Sequence, residues 1–302
     1  VVNEAAKLLE NNPYVNEVII DSKRKNVWQS TLQLINYIKN KHYDLAITPH
    51  SSFRSHLILF LSRIPERIGF DRGSAKWMLT TKIKHPVGPH KIIKNLGLLK
   101  PLSNKEFDIQ TELFPSDKDK EKAEELLKPL ASKKIIAVAP GSIWATKCWD
   151  INSYISLCQK LLDSGYGIVL IGGESDKPQC KAIADAYDMI DAYLVNLAGV
   201  TNLLESAAVI EKCSLMICND SGAMHIANAM KTKVFAFFGP TVPQFGYYPY
   251  REGDKVFEAE LKCRPCGSHG SKKCPLRHHN CMRLISVESV YETVTSTLPR
   301  EI

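Results

Sequence analysis

Short apolar runs alternate along this chain with longer stretches in which apolar positions recur every three to four residues, and the alternation is most regular in the C-terminal half. Ile135-Ile136-Ala137-Val138-Ala139 has no polar position to turn toward water, which marks a strand covered on both faces. Over 151–163, Ile151, Tyr154, Ile155, Cys158, Leu161 and Leu162 fall at helical spacing, and Gly165 and Gly167 end that helix and admit a strand at 168–171. A helix near 176–187, a strand near 193–197, a helix over 202–212, a strand over 215–218, a helix over 223–230 and a strand over 233–238 complete the series. Strands separated by helices of this length pair in parallel through right-handed crossovers. The N-terminal half keeps the rhythm less cleanly, with a strand at 17–20, a helix over 27–39, a strand at 44–48, a helix over 53–62 and a short strand near 67–70. The charged segment Ser116-Asp117-Lys118-Asp119-Lys120-Glu121-Lys122 reads as a helix start on the surface and places the junction of the halves within 110–130, giving domains 1–128 and 129–302. Ser286 is placed to cap a last helix over 287–298, with Glu288 in its first turn and Pro299 beyond its end.

Three loops carry candidate chemistry, and all three follow predicted strands. After Leu215-Met216-Ile217 comes Cys218-Asn219-Asp220-Ser221-Gly222-Ala223-Met224-His225, where Gly222 permits a sharp turn into a helix. A helix start of this kind presents free backbone N–H groups to an anion with the helix dipole behind them, and His225 lies one turn in. The bland account of this stretch is a capped helix with a packed histidine. After Ile135–Ala139 comes Pro140-Gly141-Ser142-Ile143-Trp144-Ala145-Thr146-Lys147-Cys148-Trp149, in which Gly141 and Ser142 offer donors and Lys147 a mobile positive charge. Taken alone, a lysine between two tryptophans reads as a surface residue lying along aromatic faces. Val169-Leu170-Ile171-Gly172-Gly173-Glu174 opens a buried strand into paired glycines and a carboxylate suited to ribose hydroxyls, although Gly-Gly-Glu is also a common strand-to-helix turn. Their shared position at the C-terminal ends of strands is where open α/β sheets bind ligands, and that agreement is the signal.

Pro140-Gly141-Ser142 followed by Lys147-Cys148-Trp149, Asn196-Leu197-Ala198-Gly199, Asn219-Asp220-Ser221-Gly222 with Met224-His225, and Phe238-Gly239-Pro240-Thr241 stand in one order. On these motifs the chain resembles the ADP-heptose:lipopolysaccharide heptosyltransferases of glycosyltransferase family 9, in particular their heptosyltransferase II branch. The resemblance is dense in the C-terminal half and loose in the N-terminal half. It implies an α/β fold of GT-B type, with two Rossmann-like doubly wound domains, the donor held by the C-terminal one and the acceptor by the N-terminal one. The implied reaction is inverting transfer of heptose from ADP-heptose to the inner core of lipopolysaccharide, on an acceptor of Kdo-lipid A type and without an essential metal or other cofactor.

Carried onto this sequence, the resemblance makes Lys147, Asp220 and His225 the catalytic candidates. Gly141, Ser142, Lys147, Glu174, Val200, Asp220, Ser221, Gly222 and His225 become the donor-binding set. Lys147, Ser142, the Ser221 and Gly222 amides and the helix behind them would stabilise charge developing on the ADP leaving group. Glu174 would bind ribose, and the turn from Leu197 to Val200 would hold adenine. His225 would contact phosphate or sugar. Asp220 is open between orienting sugar hydroxyls and capping its helix, since a carboxylate beside a diphosphate repels it. Family members open with a strand and a Gly-Asp loop that carries the aspartate assigned as general base, whereas this chain opens Val1-Val2-Asn3-Glu4. It therefore reads as shortened at its N-terminus, with that loop absent. Asp21, Asp44 and Asp71 each have a simpler account as loop or cap residues.

Composition narrows the classes without choosing among them. With 302 residues and 44% hydrophobic content the chain can build real cores, and no apolar run approaches the about 18 residues of a membrane span. No secretory signal opens it, and nine cysteines in such a chain fit a reducing cytoplasm. A net charge of +7 suits a nucleotide donor and a phosphorylated, membrane-embedded acceptor met peripherally at the cytoplasmic face of the inner membrane; solvated surface is an equal account. No basic cluster with interleaved aromatics points to nucleic acid. A monomer is expected. Cys263-x2-Cys266-x7-Cys274-x6-Cys281, with His269, His278 and His279, supplies enough ligands for a tetrahedral metal, but its later spacings are not those of a zinc ribbon. A metal, a disulfide and reduced thiols stay open there, and no metal ligand is assigned. The basic residues of this segment, Arg264, Lys272, Lys273, Arg277 and Arg283, read as a solvated face or as contacts for an acidic acceptor. Two other functions share these loops: a nucleotide-sugar epimerase of the same architecture, and a nucleotide-binding module without turnover.

Overall fold

The computed structural model describes residues 1–21, 26–187 and 193–299. The chain divides into two compact units, one of Val1–Leu9 with Pro13–Gln110, the other of Glu10–Asn12 with the chain from Thr111 onward.

In the first unit α1 (Asn3–Ala6), α2 (Val27–Asn40), β1 (Leu45–Thr48), α3 (Phe53–Leu61), β2 (Glu66–Phe70), β3 (Thr81–Ile83) and α4 (Lys91–Leu96) follow in order. The strands pair in parallel as β1-β2-β3. Asn26 caps α2 by accepting from the Gln29 N–H (3.1 Å), and Ser52 caps α3 in the same way from Ser55 (3.2 Å). Ile68, Phe70 and Leu98 form the core. The strand expected at 17–20 does not form. Its backbone instead meets the chain start, where the Val1 ammonium donates to the Ile19 carbonyl (2.8 Å) and the Asp21 N–H donates to the Val1 carbonyl (2.7 Å). Glu17 there pairs with Lys41 (2.9 Å) and accepts from the Tyr37 hydroxyl.

The second unit runs α5 (Asp117–Leu127), β4 (Ile135–Ala139), α6 (Ile151–Asp163), β5 (Gly167–Leu170), α7 (Lys177–Ala184), β6 (Leu194–Asn196), α8 (Leu203–Glu211), β7 (Leu215–Asn219), α9 (Gly222–Ala229), β8 (Val234–Phe238), β9 (Lys255–Glu258), α10 (Asn280–Arg283) and α11 (Val287–Thr297). All six strands are parallel in the order β6-β5-β4-β7-β8-β9, the doubly wound Rossmann order. Every residue of β4, β7 and β8 is buried, as runs without a polar face require. Alternate β4 residues serve opposite cores. Ile136 and Val138 pack with Tyr154, Leu157, Val290 and Val294, while Ile135, Ala137 and Ala139 pack with Ala123, Leu127, Ala208 and Met224. Helices thus cover both faces of the sheet.

Helix α5, which the sequence placed before the boundary at 128, lies in the second unit. Ala123 and Leu127 share a core with Ala208 and Val209 of α8, and Lys122–Glu205 (2.9 Å) and Lys212–Glu124 (2.6 Å) bridge the same pair. Ser286 caps α11 as expected, accepting from the Ser289 N–H (3.4 Å), and α11 packs on α6 through Val290, Val294 and a Tyr291–Ser164 hydroxyl pair (2.7 Å). Among the described residues no helix is long and apolar enough to cross a membrane.

Candidate active site

The strand order reverses direction between β4 and β7, and their register sets Ala139 beside Cys218, so the loops leaving both strands open at one level. That reversal opens a crevice at the C-terminal edge of the sheet. Asn219 ties its two sides together from a fully buried position. Its Oδ1 accepts from the Trp149 N–H (2.9 Å) and the Tyr154 hydroxyl (3.1 Å), and its Nδ2 donates to the Pro140 (2.8 Å) and Gly141 (3.3 Å) carbonyls. Trp149 is itself buried against Phe237 (ring centroids 4.4 Å) and Tyr154 (5.1 Å). The 140–149 loop is therefore anchored at both ends.

Between those anchors stands Lys147. Its ammonium meets Asp220 Oδ2 at 2.7 Å, with the two side chains only 14% and 10% exposed. Thr241, after β8, donates its hydroxyl to the same carboxylate oxygen (2.7 Å). Three strand ends thus converge on one charged cluster. The surface reading of Lys147 fails because only Trp144 of the flanking tryptophans reaches solvent, while Trp149 turns into the core. Asp220 does not cap α9; its Oδ2 faces Lys147 and Thr241.

Ser221 is extended (φ −147°, ψ 177°) and α9 begins at Gly222. The Ser221 side chain makes no cap bond, which leaves the first N–H groups of α9 and the positive end of its dipole available to an anion. Gly222 is not needed for the turn. It is the first helical residue, and a Cβ there would meet nothing within 4 Å, so its bareness leaves room above the helix start. Ser142, Lys147, Asp220, Ser221, Gly222 and His225 line one hollow of about 360 Å³. A second, of about 240 Å³, shares Ser142, Ser221 and Gly222 with it and continues past Gly141, Gly172 and Gly173. Together they reach the size range of small-molecule sites.

Glu174 and Val200 line neither hollow. Glu174 pairs with Lys177 (2.8 Å), and Val200 is half exposed on the neighbouring turn. They lie close together all the same. The Gly199 N–H donates to the Gly172 carbonyl (2.8 Å), and Gly199 (φ +69°) is packed so tightly that a Cβ would sit 2.8 Å from Glu174 Oε1. The carboxylate that does border the second hollow is Asp176. It accepts from the Gly173 N–H (2.9 Å), and a Cβ on Gly141 would fall 2.1 Å from its Oδ1. Burial first, then the Asp176 charge, pushes the Cys148 thiol up, so this cysteine stands in the loop as a neutral thiol.

The cysteine-rich segment braces the same loop. The Thr146 N–H and hydroxyl both donate to the Ser271 carbonyl (3.1 and 2.9 Å), the Ser271 N–H donates to Thr146 Oγ1 (2.8 Å), and a His279 ring nitrogen contacts the Thr146 carbonyl (2.8 Å). Arg264 is not the solvated residue expected. With its side chain 6% exposed, it donates to the Phe238 (3.1 Å), Gly239, Thr241 (3.0 Å) and Ala259 (2.6 Å) carbonyls and pairs with Glu258 (2.7 Å), fixing the loop that carries Thr241. All nine cysteines are free thiols, and among the described residues no three His, Cys, Asp or Glu side chains converge on a metal position.

The profile of glycosyltransferase family 9 (heptosyltransferase) matches residues 31–276. The chain belongs to glycosyltransferase family 9. Among its curated relatives, lipooligosaccharide heptosyltransferase 2 of Haemophilus influenzae is 31% identical over 224 residues, covering 68% of this chain and 63% of that protein. The lipopolysaccharide heptosyltransferase 2 of Escherichia coli is 28% identical over 284 residues, covering 82% and 79%. The solved structure of the E. coli ADP-heptose lipopolysaccharide heptosyltransferase II superposes with a TM-score of 0.77 at 25% identity, over 98% of this chain and 87% of that one. A family 9 glycosyltransferase from Veillonella parvula shares the fold at a TM-score of 0.83 and 20% identity, over 98% and 86%. In this family member, sequence reasoning missed Asn219, Asp176, Thr241 and Arg264 as site residues. Asn219 and Thr241 stood inside the quoted motifs; for Asn219 a polar residue ending an otherwise apolar strand was the available signal, while Thr241, three residues past β8, carried none beyond its motif. Nothing local marked Arg264.

Proposed function

We propose that this chain transfers a heptose from ADP-heptose to the inner core of lipopolysaccharide, with inversion, on an acceptor of Kdo-lipid A type. One observation carries the reading: Lys147, held by Asp220 and Thr241, stands with the start of α9 in one hollow at the sheet's topological switch point. A diphosphate leaving group fits that setting. Its oxygens would take the free N–H groups of Ser221 and Gly222 and the Lys147 ammonium, and these interactions strengthen as negative charge builds on the departing ADP. The repulsion expected of Asp220 is offset by the ammonium and hydroxyl on its Oδ2, so the carboxylate serves to aim Lys147. His225 lines the same hollow and is assigned to phosphate or sugar. Gly141 and Ser142 lead into the second hollow, which we assign to the nucleoside; Glu174 and the 197–200 turn, which stand beyond its Gly172 and Gly173 edge, are assigned to ribose and adenine reaching past that edge. The same reading has a monomer working without a metal at the cytoplasmic face of the inner membrane.

The test is transfer from ADP-heptose to a heptosylated, Kdo-containing lipid A acceptor, with product analysis and with donor alone as the control. Lys147→Ala is expected to lower kcat by about a hundredfold, the scale of losing one preorganised donor to a developing anion. Donor turned over to an isomeric sugar without acceptor, or transfer indifferent to Lys147→Ala, contradicts the proposal.

A further inference from the structure

The cysteine-rich segment between β9 and α10 is pinned to two site loops at either end of residues 266–271. The Cys266 N–H donates to the Pro240 carbonyl (2.9 Å), on the loop that carries Thr241. At the other end Ser271 exchanges hydrogen bonds with Thr146, next to Lys147. Gly270 tightens this second pin. A Cβ there would fall 2.5 Å from Trp144 Cβ and 3.0 Å from Lys147 Cγ, so the strap lies against the stem of that lysine only because the residue is bare. The strap therefore runs from the loop after β8 to the loop after β4, with Gly267, Ser268 and His269 between its pins.

Ser268 and His269 line the first hollow with Lys147, Asp220 and His225. Both are exposed, and neither side chain makes a hydrogen bond or ion pair among the described residues. Lys147, Asp220 and Thr241, by contrast, are bound to one another. Phe245 and Tyr247, from the loop after β8, add aromatic surface to the same hollow. Ser142, Ser221 and Gly222 are shared with the second hollow, whereas Phe245, Tyr247, Ser268 and His269 line the first alone. With the nucleoside in the second hollow and the diphosphate at Lys147 and the start of α9, the space left to the sugar is the part these four residues line. Aromatic walls with a few unengaged polar groups are the lining that orients a small polar ligand.

We propose that Ser268 and His269 bind the sugar of the nucleotide-sugar, hydrogen-bonding its hydroxyls, while Phe245 and Tyr247 receive its C–H surface. An exposed hydroxyl and imidazole exchange water for sugar hydroxyls without leaving a buried group unpaired. The inference rests on the donor-site reading. ADP binding reports that reading, and the further effect of the attached sugar reports this one.

Calorimetric titration without acceptor tests it with two probes, ADP and ADP-heptose. Ser268→Ala and His269→Ala are each expected to lower the ratio of ADP-heptose affinity to ADP affinity about fivefold, the scale of one neutral hydrogen bond, with ADP affinity and the melting midpoint held at their wild-type values. A ratio unchanged in both variants overturns the inference and leaves the donor-site reading standing. Both probes weakened alike in both variants overturns it as well, since the two residues then act on the ADP portion or on the fold. No ADP binding by the wild-type protein overturns the donor-site reading and this inference with it.

Discussion

Lys147 and Asp220 stand 73 residues apart in the chain and 2.7 Å apart in space, and the path between them runs through Asn219. Because Asn219 is fully buried, each of its four hydrogen bonds satisfies a group that water cannot reach. Asn219→Ala would strand the Trp149 N–H and the Pro140 and Gly141 carbonyls together. We expect it to cost roughly 3 kcal/mol or more in urea unfolding and to loosen the Lys147 loop; a loss within ordinary surface scatter would show that the crosslink is dispensable. Lys147 and Asp220 were legible as candidates from their motifs, but their pairing was not, since no local pattern links positions so far apart. Glu174 and Asp176 show the reverse relation. The residue directly after Gly172-Gly173 drew the assignment, while the short turn at Glu174–Asp176 sends Glu174 to Lys177 and sets Asp176 over the glycines.

Among the elements, strands buried on both faces could be read from sequence because no polar residue interrupts them; β4, β7 and β8 are of this kind. β3, with three residues, and β9, exposed at both of its ends, offered no such run and went unread. The long passage from β9 to α10 has little regular structure, yet it holds the site from behind through Ser271 and Arg264. In sequence its thiols left a metal, a disulfide and reduced thiols open; in this fold the segment hydrogen-bonds to two site loops. Arg264→Met keeps the volume and removes the donors to four carbonyls of the 238–241 and 259 backbone. It is expected to destabilise the protein by roughly 3 kcal/mol and to raise KM for the nucleotide-sugar, because Thr241 loses its fixed position beside Asp220. Unchanged stability would return Arg264 to the solvated face first expected of it.

For the whole molecule, buried thiols set an alkaline limit. Burial pushes Cys158, Cys180 and Cys213 up to about 12 from an ordinary 9.0, and Cys218 higher still, with the Asp220 and Asp254 carboxylates adding to it. A thiol whose folded pKa lies above its unfolded value contributes fully below the unfolded value. Its contribution is lost as pH rises from 9.0 toward the folded value, because only the unfolded chain ionises in that window. Stability to urea is therefore expected to fall between pH 9 and 12 by about 1.4 kcal/mol per pH unit for each such thiol, and Cys213→Ala to flatten the slope. An alkaline profile without that slope would place these sulfurs in contact with water.

The doubly wound order puts the switch point between β4 and β7, and the donor assignment follows from that one placement. A crystal structure of the protein grown with ADP tests it most directly. The predicted result has the β-phosphate within hydrogen-bonding reach of the Lys147 ammonium and the Ser221 and Gly222 N–H groups, with the Lys147–Asp220 contact lengthened from 2.7 Å as the ammonium turns to the phosphate. ADP bound elsewhere in the second unit, or bound here with Lys147 still closed on Asp220 and no phosphate at the start of α9, would contradict the account.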